Sequence, residues 1–256
     1  MMSGGIKVLF AGEAIYTLQT IYKGRNSFSM GRYFEHGEYF VKALEENGID
    51  FDYCPTHRVA EDFPWTLEDM KEYDVIVVSD VGCDTFLISQ RTMEGERTPN
   101  RLKLLEQYVA EGGGFLMWGG YLSFTGLHGK AFYKRTPVEK LLPVTLMETD
   151  DRVEVPEGFL PAILEKDHPI LNGVPEPWEG YFLSYNGLIP KDGATVVASK
   201  EEYDNDPFLI GWDYGQGRSL ASVVDCAYHG AAPPFLDWEH TSTLYANMVR
   251  WCAKGI

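Results

Sequence analysis

The stretch from Gly112 to Phe124 constrains the fold of this chain more than any other. Its centre, Phe115 to Trp118, is an unbroken apolar run, which is typical of a strand covered on both faces of a parallel sheet. The preceding segment, Asn100 to Glu111, has the apolar spacing of an amphipathic helix, and Gly112 stands where such a helix ends. The turn Gly119-Gly120-Tyr121 then lies at the carboxyl end of the strand, where parallel sheets collect ligands and catalytic groups.

Two more buried strands are predicted, at Ile6–Ala11 and Val75–Ser79, and helical segments separate the strands along the chain. Asp50–Cys54 alternates polar and aromatic residues, which predicts a strand nearer an edge. Because crossovers between parallel strands are right-handed, this alternation predicts an α/β fold of three α/β/α layers. We expect a flavodoxin-like, doubly wound and mostly parallel sheet.

The remaining segments predict additions to this sheet. Residues 14–32 are long and rich in aromatic residues, and we interpret them as an insertion that covers the end of the sheet, followed by a helix from about Tyr33 to Asn47. A β-rich antiparallel extension is expected within about 144–224, and its strands 208–212 and 219–224 should form a hairpin. With no linker or internal repeat, the sequence predicts a single domain over residues 1–256.

Composition excludes several classes of partner. The chain has 256 residues and a net charge of −16, which disfavours both nucleic acid and anionic membranes. No apolar run reaches the roughly 20 residues of a membrane span, and Met1–Gly5 shows no secretory signal. The four scattered cysteines fit a reducing cytoplasm. Aromatic residues make up 14% of the chain, and we expect some of them to line a pocket or the contact of a homo-oligomer.

His229 is the first candidate for chemistry. It follows a predicted strand in the sequence Asp225-Cys226-Ala227-Tyr228-His229-Gly230, a position that suits a general base. Glu239 and His240 follow ten and eleven residues later, and an acid there could return to orient the imidazole, as in a catalytic triad. The alternative is a structural histidine bonded to a carbonyl group. His168, before Pro169, is better explained as a turn or helix cap.

Cys83 is the second candidate, because a helix N-terminus after a central strand can lower the pKa of a thiol. The alternative, which the sequence favours, is a small buried residue in a turn. A pocket for a small polar ligand is the third candidate, although each member could instead be a cap or loop residue. Its residues would come from the strand ends: Glu13, Asp80, Gly82, Asp84, Gly119, Gly120, Tyr121, Ser123, Asp225 and His229.

Metal and cofactor sites find little support in the sequence. Asp225, His229 and His240 could in principle hold a metal ion, but no HxH, HExxH or paired-cysteine spacing accompanies them. Neither nucleotide-binding glycine motif occurs, because Gly112-Gly113-Gly114 precedes its strand instead of following it. We therefore predict neither a metal nor a cofactor.

Together these motifs resemble one family, the class I glutamine amidotransferase-like proteins. The resemblance spans most of the chain and rests on four phrases: the Gly-Gly turn after Phe115–Trp118, residues 78–82, residues 167–171, and residues 224–229. It is closest to the non-canonical branch of uncharacterised glutamine amidotransferase-like proteins, which is related to the trehalose-utilisation-like proteins.

The resemblance implies a nucleophilic cysteine in a Gly-x-Cys-x-Gly turn, served by a His-x-Glu pair. Here Gly120 or Tyr121 stands where the cysteine is expected, and Ala231 stands where the glutamate is expected after His229. Tyr121 is therefore a further catalytic candidate, although a phenol, with a pKa of about 10, is mostly protonated at neutral pH. Without a thiolate no thioester forms, so we expect no glutamine hydrolysis but a small polar, sugar-like ligand at the strand ends. Two alternatives stay open: a hydrolase or amidotransferase that uses Cys83 or Ser123 with His229, and a structural or assembly protein without chemistry.

Overall fold

The computed structural model describes residues 5–200 and 206–256. Residues 1–4 and 201–205 lie outside the described residues. Residues 1–4 are most of the segment in which no secretory signal was predicted. The described strands are β1 Lys7–Gly12, β2 Ala14–Lys23, β3 Asn26–Glu35, β4 Asp50–Pro55, β5 Val75–Ser79, β6 Gly114–Trp118, β7 Val144–Thr145, β8 Arg152–Phe159, β9 Pro161–Ile163, β10 Phe182–Asn186, β11 Ile189–Pro190, β12 Thr195–Lys200, β13 Pro207–Tyr214 and β14 Gly217–Ser222.

The described helices are α1 Glu38–Glu46, α2 Val59–Asp62, α3 Leu67–Met70, α4 Cys83–Leu87, α5 Gln90–Met93, α6 Arg101–Ala110, α7 Pro137–Leu141, α8 Pro233–Leu236 and α9 Thr241–Cys252. Three short 3₁₀ turns lie among them, at Thr56–Arg58, Leu127–Gly129 and Pro169–Leu171. No helix within residues 5–200 and 206–256 is long and apolar enough to cross a membrane.

A sheet of eight strands forms the centre of the fold, in the order β4-β1-β5-β6-β14-β13-β12-β9. The first five strands are parallel, and β13, β12 and β9 continue the sheet antiparallel. This arrangement confirms the flavodoxin-like α/β fold, the edge position of β4 and the β13–β14 hairpin. Strands β7 to β14 all lie between Val144 and Ser222, inside the region predicted to be β-rich.

The central helix and strand form where the sequence predicts them. The Asn100 side chain accepts a hydrogen bond from the Lys103 amide at 3.1 Å and caps α6. Helix α6 then buries Leu102, Leu105 and Val109, and every residue of β6 is buried. Two buried faces explain the unbroken apolar run of this strand.

The direction in which the strands are added locates the functional edge of the sheet. From β1 the chain adds β4 on one side, and it then returns past β1 to add β5 and β6 on the other. Right-handed crossovers place α1 and α6 on opposite faces, where α1 packs on α9 and α6 packs on α3, α4 and α7. Because the strand order reverses between β1 and β5, the crevice at their carboxyl ends is the expected ligand site.

The predicted insertion at residues 14–32 does not cover the end of the sheet. It forms β2 and β3, two ten-residue strands joined in a hairpin at Gly24, whose φ is +60°, and nearly all of its residues are exposed. Apolar and polar residues alternate in much of this segment, and that period matches a strand. The helix predicted from about Tyr33 to Asn47 forms as α1, with Asn47 as its C-terminal cap, but its predicted start is wrong, since β3 continues to Glu35 and α1 begins at Glu38.

Candidate functional site

Four strands deliver the candidate residues to one edge of the sheet. Glu13 follows β1, Asp80 follows β5, the Gly119-Gly120-Tyr121 turn follows β6, and His229 lies past β14. The backbone amide of Leu122, in the turn, donates a 2.6 Å hydrogen bond to Asp80 Oδ1. The sequence therefore predicted correctly that these strand ends meet, because parallel strands share a carboxyl edge.

Three of these residues have a left-handed backbone. The φ angles are 49° for Glu13, 51° for Asp80 and 113° for His229. For a residue other than glycine, such a backbone conformation costs about 1–3 kcal/mol, and it persists only where the surrounding contacts enforce it. The amide and carbonyl groups of Glu13 are both engaged, with Ser79 O at 3.3 Å and the His36 amide at 2.7 Å. Strain of this kind concentrates at functional sites.

Three carboxyl groups lie close enough to influence each other. Glu13 and Asp225 are buried, Asp80 is partly buried, and the Glu13 carboxylate accepts a hydrogen bond from the Ser79 hydroxyl. Burial and the neighbouring Asp80 charge raise the pKa of Glu13 to about 8. Burial, together with Glu13 and Asp80, raises the pKa of Asp225 far above its ordinary value. The floor of the site is therefore less negative at neutral pH than its composition indicates.

Stability should depend on pH through Glu13. An ordinary glutamate carboxyl releases its proton near pH 4.5, whereas folded Glu13 keeps its proton up to about pH 8. Between these values the folded chain binds more protons than the unfolded chain, so the free energy of unfolding falls as pH rises. Glu13→Gln keeps the shape without the titration, and at pH 9 it should unfold with a free energy at least about 2 kcal/mol above wild type.

Urea unfolding at pH 5 and pH 9 measures this difference. At pH 5 the Gln variant and wild type should agree within about 1 kcal/mol, because the wild-type carboxyl is then neutral. Glu239→Gln, at a side chain that is 85% exposed, is the control and should leave the pH dependence of wild type intact. Parallel pH profiles for Glu13→Gln and wild type would contradict the raised pKa.

Tyr121 and His229 form the exposed part of the site. His229 Nε2 lies 2.7 Å from the Tyr121 hydroxyl, and the two rings meet edge to face with centroids 4.3 Å apart. The Tyr121 hydroxyl also lies within hydrogen-bond distance of Glu154 Oε1, at 3.2 Å, so it has two competing partners and the tautomer of His229 decides which of the two it donates to. Burial and Glu154 raise the pKa of Tyr121, which keeps it a neutral phenol and a poor nucleophile.

Asp225 stands behind the imidazole. Its Oδ2 lies 3.9 Å from His229 Nδ1, which is too long for a hydrogen bond, and its carboxyl group accepts the Gly230 amide at 3.3 Å. The phenol of Tyr121, the imidazole of His229 and the carboxyl group of Asp225 follow one another as the groups of a catalytic triad do. However, no hydrogen bond joins His229 to Asp225, and the neutral phenol is not a nucleophile. The arrangement is therefore suited to hydrogen bonding with a ligand more than to covalent catalysis.

Residues that sequence reasoning missed complete a small cavity beside this pair. Asn186 and Asp151 hold the turn by hydrogen bonds. Asn186 Oδ1 accepts a bond from the Gly120 amide at 2.9 Å, and Asn186 Nδ2 donates to Asp151 Oδ1 at 2.8 Å. No local motif marks either residue, because both come from the β-rich extension. The cavity is lined by Gly120, Tyr121, Arg152, Ser184, Tyr185, Asn186, Val223, Val224, Asp225, His229 and Gly230.

The structure does not place Cys83 or Ser123 as nucleophiles. Cys83 is buried at the start of α4 and donates to Phe132 O at 3.2 Å, and burial raises its pKa to about 12. Cys83 is therefore the small buried residue that the sequence favoured, and the helix does not lower its pKa, since burial outweighs the end of a five-residue helix. Ser123 is fully buried and connects the Asp80 amide to Gly119 O. Gly82 caps α4, and neither it nor Cys83 lines the cavity.

The two other histidines that the sequence singled out, His168 and His240, lie in structural contacts. His168 Nδ1 accepts the Ile170 amide at 3.3 Å, which is the cap that the sequence favoured. His240 lies 3.5 Å from Glu239 and packs on Trp238 instead of approaching His229. Within the part of the chain that the structure describes, no group of three or more His, Cys, Asp or Glu side chains is arranged to hold a metal ion.

Comparison with known proteins identifies the family. A family model described as "Putative glutamine amidotransferase", the GATase1-like family, matches residues 7–254. The chain belongs to this family. No curated protein matches the chain.

Solved structures place this GATase1-like protein beside two bacterial relatives. Cytoplasmic protein STM3548 from Salmonella typhimurium is 38% identical, with a TM-score of 0.91 over 96% of this chain and 99% of that one. Cytoplasmic protein STM1381 from Salmonella typhimurium LT2 is 39% identical, with a TM-score of 0.90 and the same coverage. A ThuA-like protein from Parabacteroides merdae shares the fold at 12% identity, with a TM-score of 0.59 over 98% of this chain and 91% of that one.

In this GATase1-like protein the turn after β6 has no room for a side chain at Gly119 or at Gly120, and Gly120 is one of the two positions where the resemblance expects cysteine. A Cβ atom at Gly119 would lie 2.4 Å from Val223 O, and one at Gly120 would lie 2.7 Å from Asp80 Oδ1. The backbone of Gly120, at φ +133°, is also one that other residues rarely adopt. Glycine at these positions therefore follows from close packing of the turn against Asp80 and Val223.

Proposed function

We propose that this GATase1-like protein binds a small, neutral, hydroxyl-rich ligand of sugar-like chemistry and does not hydrolyse glutamine. The observation that carries the proposal is the polar surface around the Tyr121–His229 pair, where a phenol, an imidazole and the Arg152 guanidinium border a small cavity that is open to solvent. Sites for polar ligands use a few such groups around a concave surface. We also propose a cytoplasmic location, since both Salmonella relatives are called cytoplasmic proteins.

Charge supports a neutral ligand over a cation. The raised pKa values of Glu13 and Asp225 keep protons on carboxyl groups that would otherwise attract positive charge. The Arg152 guanidinium is 3.9 Å from Glu154, which offsets part of its own charge. A ligand that offers hydroxyl groups can accept from the guanidinium and donate to oxygen atoms without carrying charge into the cavity.

Chemistry at a cysteine finds no support in the geometry. Cys226 is the cysteine nearest the carboxyl groups, and its Sγ lies 3.8 Å from the Ser79 hydroxyl. Burial and the charges of Glu13 and Asp225 raise the pKa of this thiol far above its ordinary value. A thiol that stays protonated is a weak nucleophile, so the proposal contains no thioester step.

The test is thermal unfolding with trehalose, galactose, glucose and sorbitol as probes. A binding sugar should raise the melting temperature, because a ligand that binds the folded chain alone stabilises it by mass action. Tyr121→Phe removes one hydroxyl group from the cavity, and His229→Gln removes the imidazole beside it. Each should weaken binding of that sugar by about tenfold, the cost of one lost hydrogen bond.

Tyr22→Phe is the matched control, because it removes the hydroxyl group of an exposed tyrosine on β2, away from the cavity. It should leave the sugar-induced shift at its wild-type size. The proposal fails if none of the probes raises the melting temperature, or if Tyr121→Phe and His229→Gln respond as wild type does. Glutamate release from glutamine that iodoacetamide abolishes would favour the alternative of cysteine hydrolase chemistry.

A further inference from the structure

The β2–β3 hairpin, Ala14–Glu35, here called the arm, exposes an unusual amount of apolar surface. Eighteen large apolar side chains are exposed in the described residues, and eight of them belong to this 22-residue segment. Scattered apolar residues need no explanation, whereas a contiguous patch marks an interaction site. The eight are Ile15, Tyr16, Leu18, Tyr22, Phe28, Met30, Tyr33 and Phe34.

Both faces of the arm carry this surface. Because side chains alternate along a strand, Ile15, Phe28, Met30 and Phe34 lie on one face, with the half-buried Ile21 opposite Phe28. Tyr16, Leu18, Tyr22 and Tyr33 lie on the other face, where Leu18 is 76% and Tyr22 75% exposed. The two strands pair with each other and with no other strand of the described chain. An isolated two-stranded hairpin is marginally stable in water, so an arm of this length needs a covering partner.

Among residues 5–200 and 206–256, the contacts between the arm and the body lie at the base of the arm. The His36 amide donates to Glu13 O at 2.7 Å, and the rings of Tyr16 and Tyr33 each lie 5.2 Å from His57. The remaining ring contacts that the described arm residues make are with each other and with His36. The outer two thirds of the hairpin therefore project from the body.

The charge of the arm identifies what covers it. Three basic residues, Lys23, Arg25 and Arg32, and one acidic residue, Glu35, give the arm a charge of +2. The whole chain carries −16, which leaves −18 for the rest of the molecule. A basic arm on an acidic body is complementary to the body of a second copy of the same chain, and such complementarity steers association.

We propose that the arm docks on the acidic body of a second copy of this chain, and that each copy in a closed pair gives and receives one arm. Exchange of this kind satisfies two-fold symmetry, in which the same two patches are used twice. The arm also has a suitable size, since a stable interface takes about 20–30 residues from each partner. An anionic membrane would attract the arm but repel the body, and is therefore the less suitable partner.

Sedimentation velocity of the full chain between about 1 and 100 µM tests the proposal. Wild type should sediment as a dimer, the closed pair of the proposal. Two pairs of substitutions, one for each face of the arm, are Leu18→Glu with Tyr22→Glu, and Phe28→Glu with Met30→Glu. At least one pair should lower the association constant by on the order of 100-fold, because two large apolar side chains lose their burial.

Met93→Glu is the matched control, since Met93 is 74% exposed on α5, outside the arm. It should associate as wild type does, and circular dichroism should show each variant folded. Wild type that stays monomeric throughout the range would overturn the proposal, and so would wild-type association in both arm variants. A monomer that binds phosphatidylserine vesicles through the arm would also overturn it, and would assign the surface to a membrane.

The ionic part of the proposal has its own test. Reversing the charges of Lys23, Arg25 and Arg32 to glutamate should weaken association at about 0.1 M salt by on the order of tenfold or more. Raising the salt to about 0.5 M should weaken wild-type association and shrink the difference between the two proteins. Association that neither the charge reversal nor the salt affects would overturn docking on the acidic body.

Discussion

Replacing Arg101 by methionine is expected to lower the free energy of unfolding by about 4 kcal/mol, the size of effect that follows when a buried hydrogen-bonded charge is removed. The Arg101 side chain is fully buried at the start of α6, and no carboxylate pairs with it in the described residues. All five of its N–H donors bind backbone carbonyl groups instead. The acceptors are Val59 O, Ala60 O, Phe63 O, Thr85 O and Phe86 O, at 2.7 to 3.3 Å.

These carbonyl groups belong to or adjoin α2 and α4, so one side chain ties two short helices to α6. The Arg101 guanidinium also lies 4.0 Å from the centre of the Trp65 ring, a favourable cation–π distance. Burial lowers the pKa of Arg101 to about 10, which still leaves it charged at neutral pH. Methionine has a comparable length, but it would leave the carbonyl groups without this donor and exchange a cation for a thioether over Trp65.

Urea unfolding of Arg101→Met, Arg101→Lys and the control Lys103→Met measures the effect. Lysine keeps the charge but offers three donors in place of five, so its loss should be intermediate, at about 2 kcal/mol. Lys103 is exposed on the same helix, and its substitution should change stability by less than about 0.5 kcal/mol. If Arg101→Met were as stable as Lys103→Met, the carbonyl contacts would contribute nothing net to folding.

Arg101 also illustrates which parts of the fold sequence reasoning reaches. Apolar periodicity located β1, β5, β6 and α6, because their burial depends on local alternation of residue types. Arg101 stands in that same helix, yet nothing near it shows that its partners come from residues 59–63 and 85–86. Those contacts depend on how separate segments pack, and a one-dimensional pattern does not contain that information.

In the arm and in the site too, local sequence patterns predicted the strands but not how separate segments pack. The length and aromatic content of residues 14–32 indicated an insertion, but alternation alone does not say whether a hairpin lies on the sheet or projects from it. At the site, Glu13, Asp80, Tyr121 and His229 were found because each follows a strand on the shared edge. Asn186 lies at the end of a short antiparallel strand, β10, whose pairing with β8 no local signal announces.

Replacing Gly120 by cysteine, which would return the family's expected residue to the turn, is expected to destabilise the fold and to create no glutaminase. The new Cβ atom would lie 2.7 Å from Asp80 Oδ1, and the backbone at φ +133° is unfavourable for any side chain. Collision and strain together should lower the free energy of unfolding by about 3–4 kcal/mol. A carboxylate beside the thiol would also raise the thiol pKa, so no reactive thiolate would form.

Gly112→Cys separates the two contributions, because Gly112 has a similar backbone, at φ +123°, with no atom within 4 Å of a Cβ. It should lose about 1–2 kcal/mol from strain alone, and the excess loss at Gly120 then measures the collision. Asp80→Gly removes the carboxyl group and suits the left-handed backbone of residue 80, whose φ is 51°. Combined with Gly120→Cys, it should recover about 2 kcal/mol relative to the sum of the single changes. If the two changes were instead additive, Asp80 would not be what excludes a side chain from this turn, and the missing cysteine would need another cause.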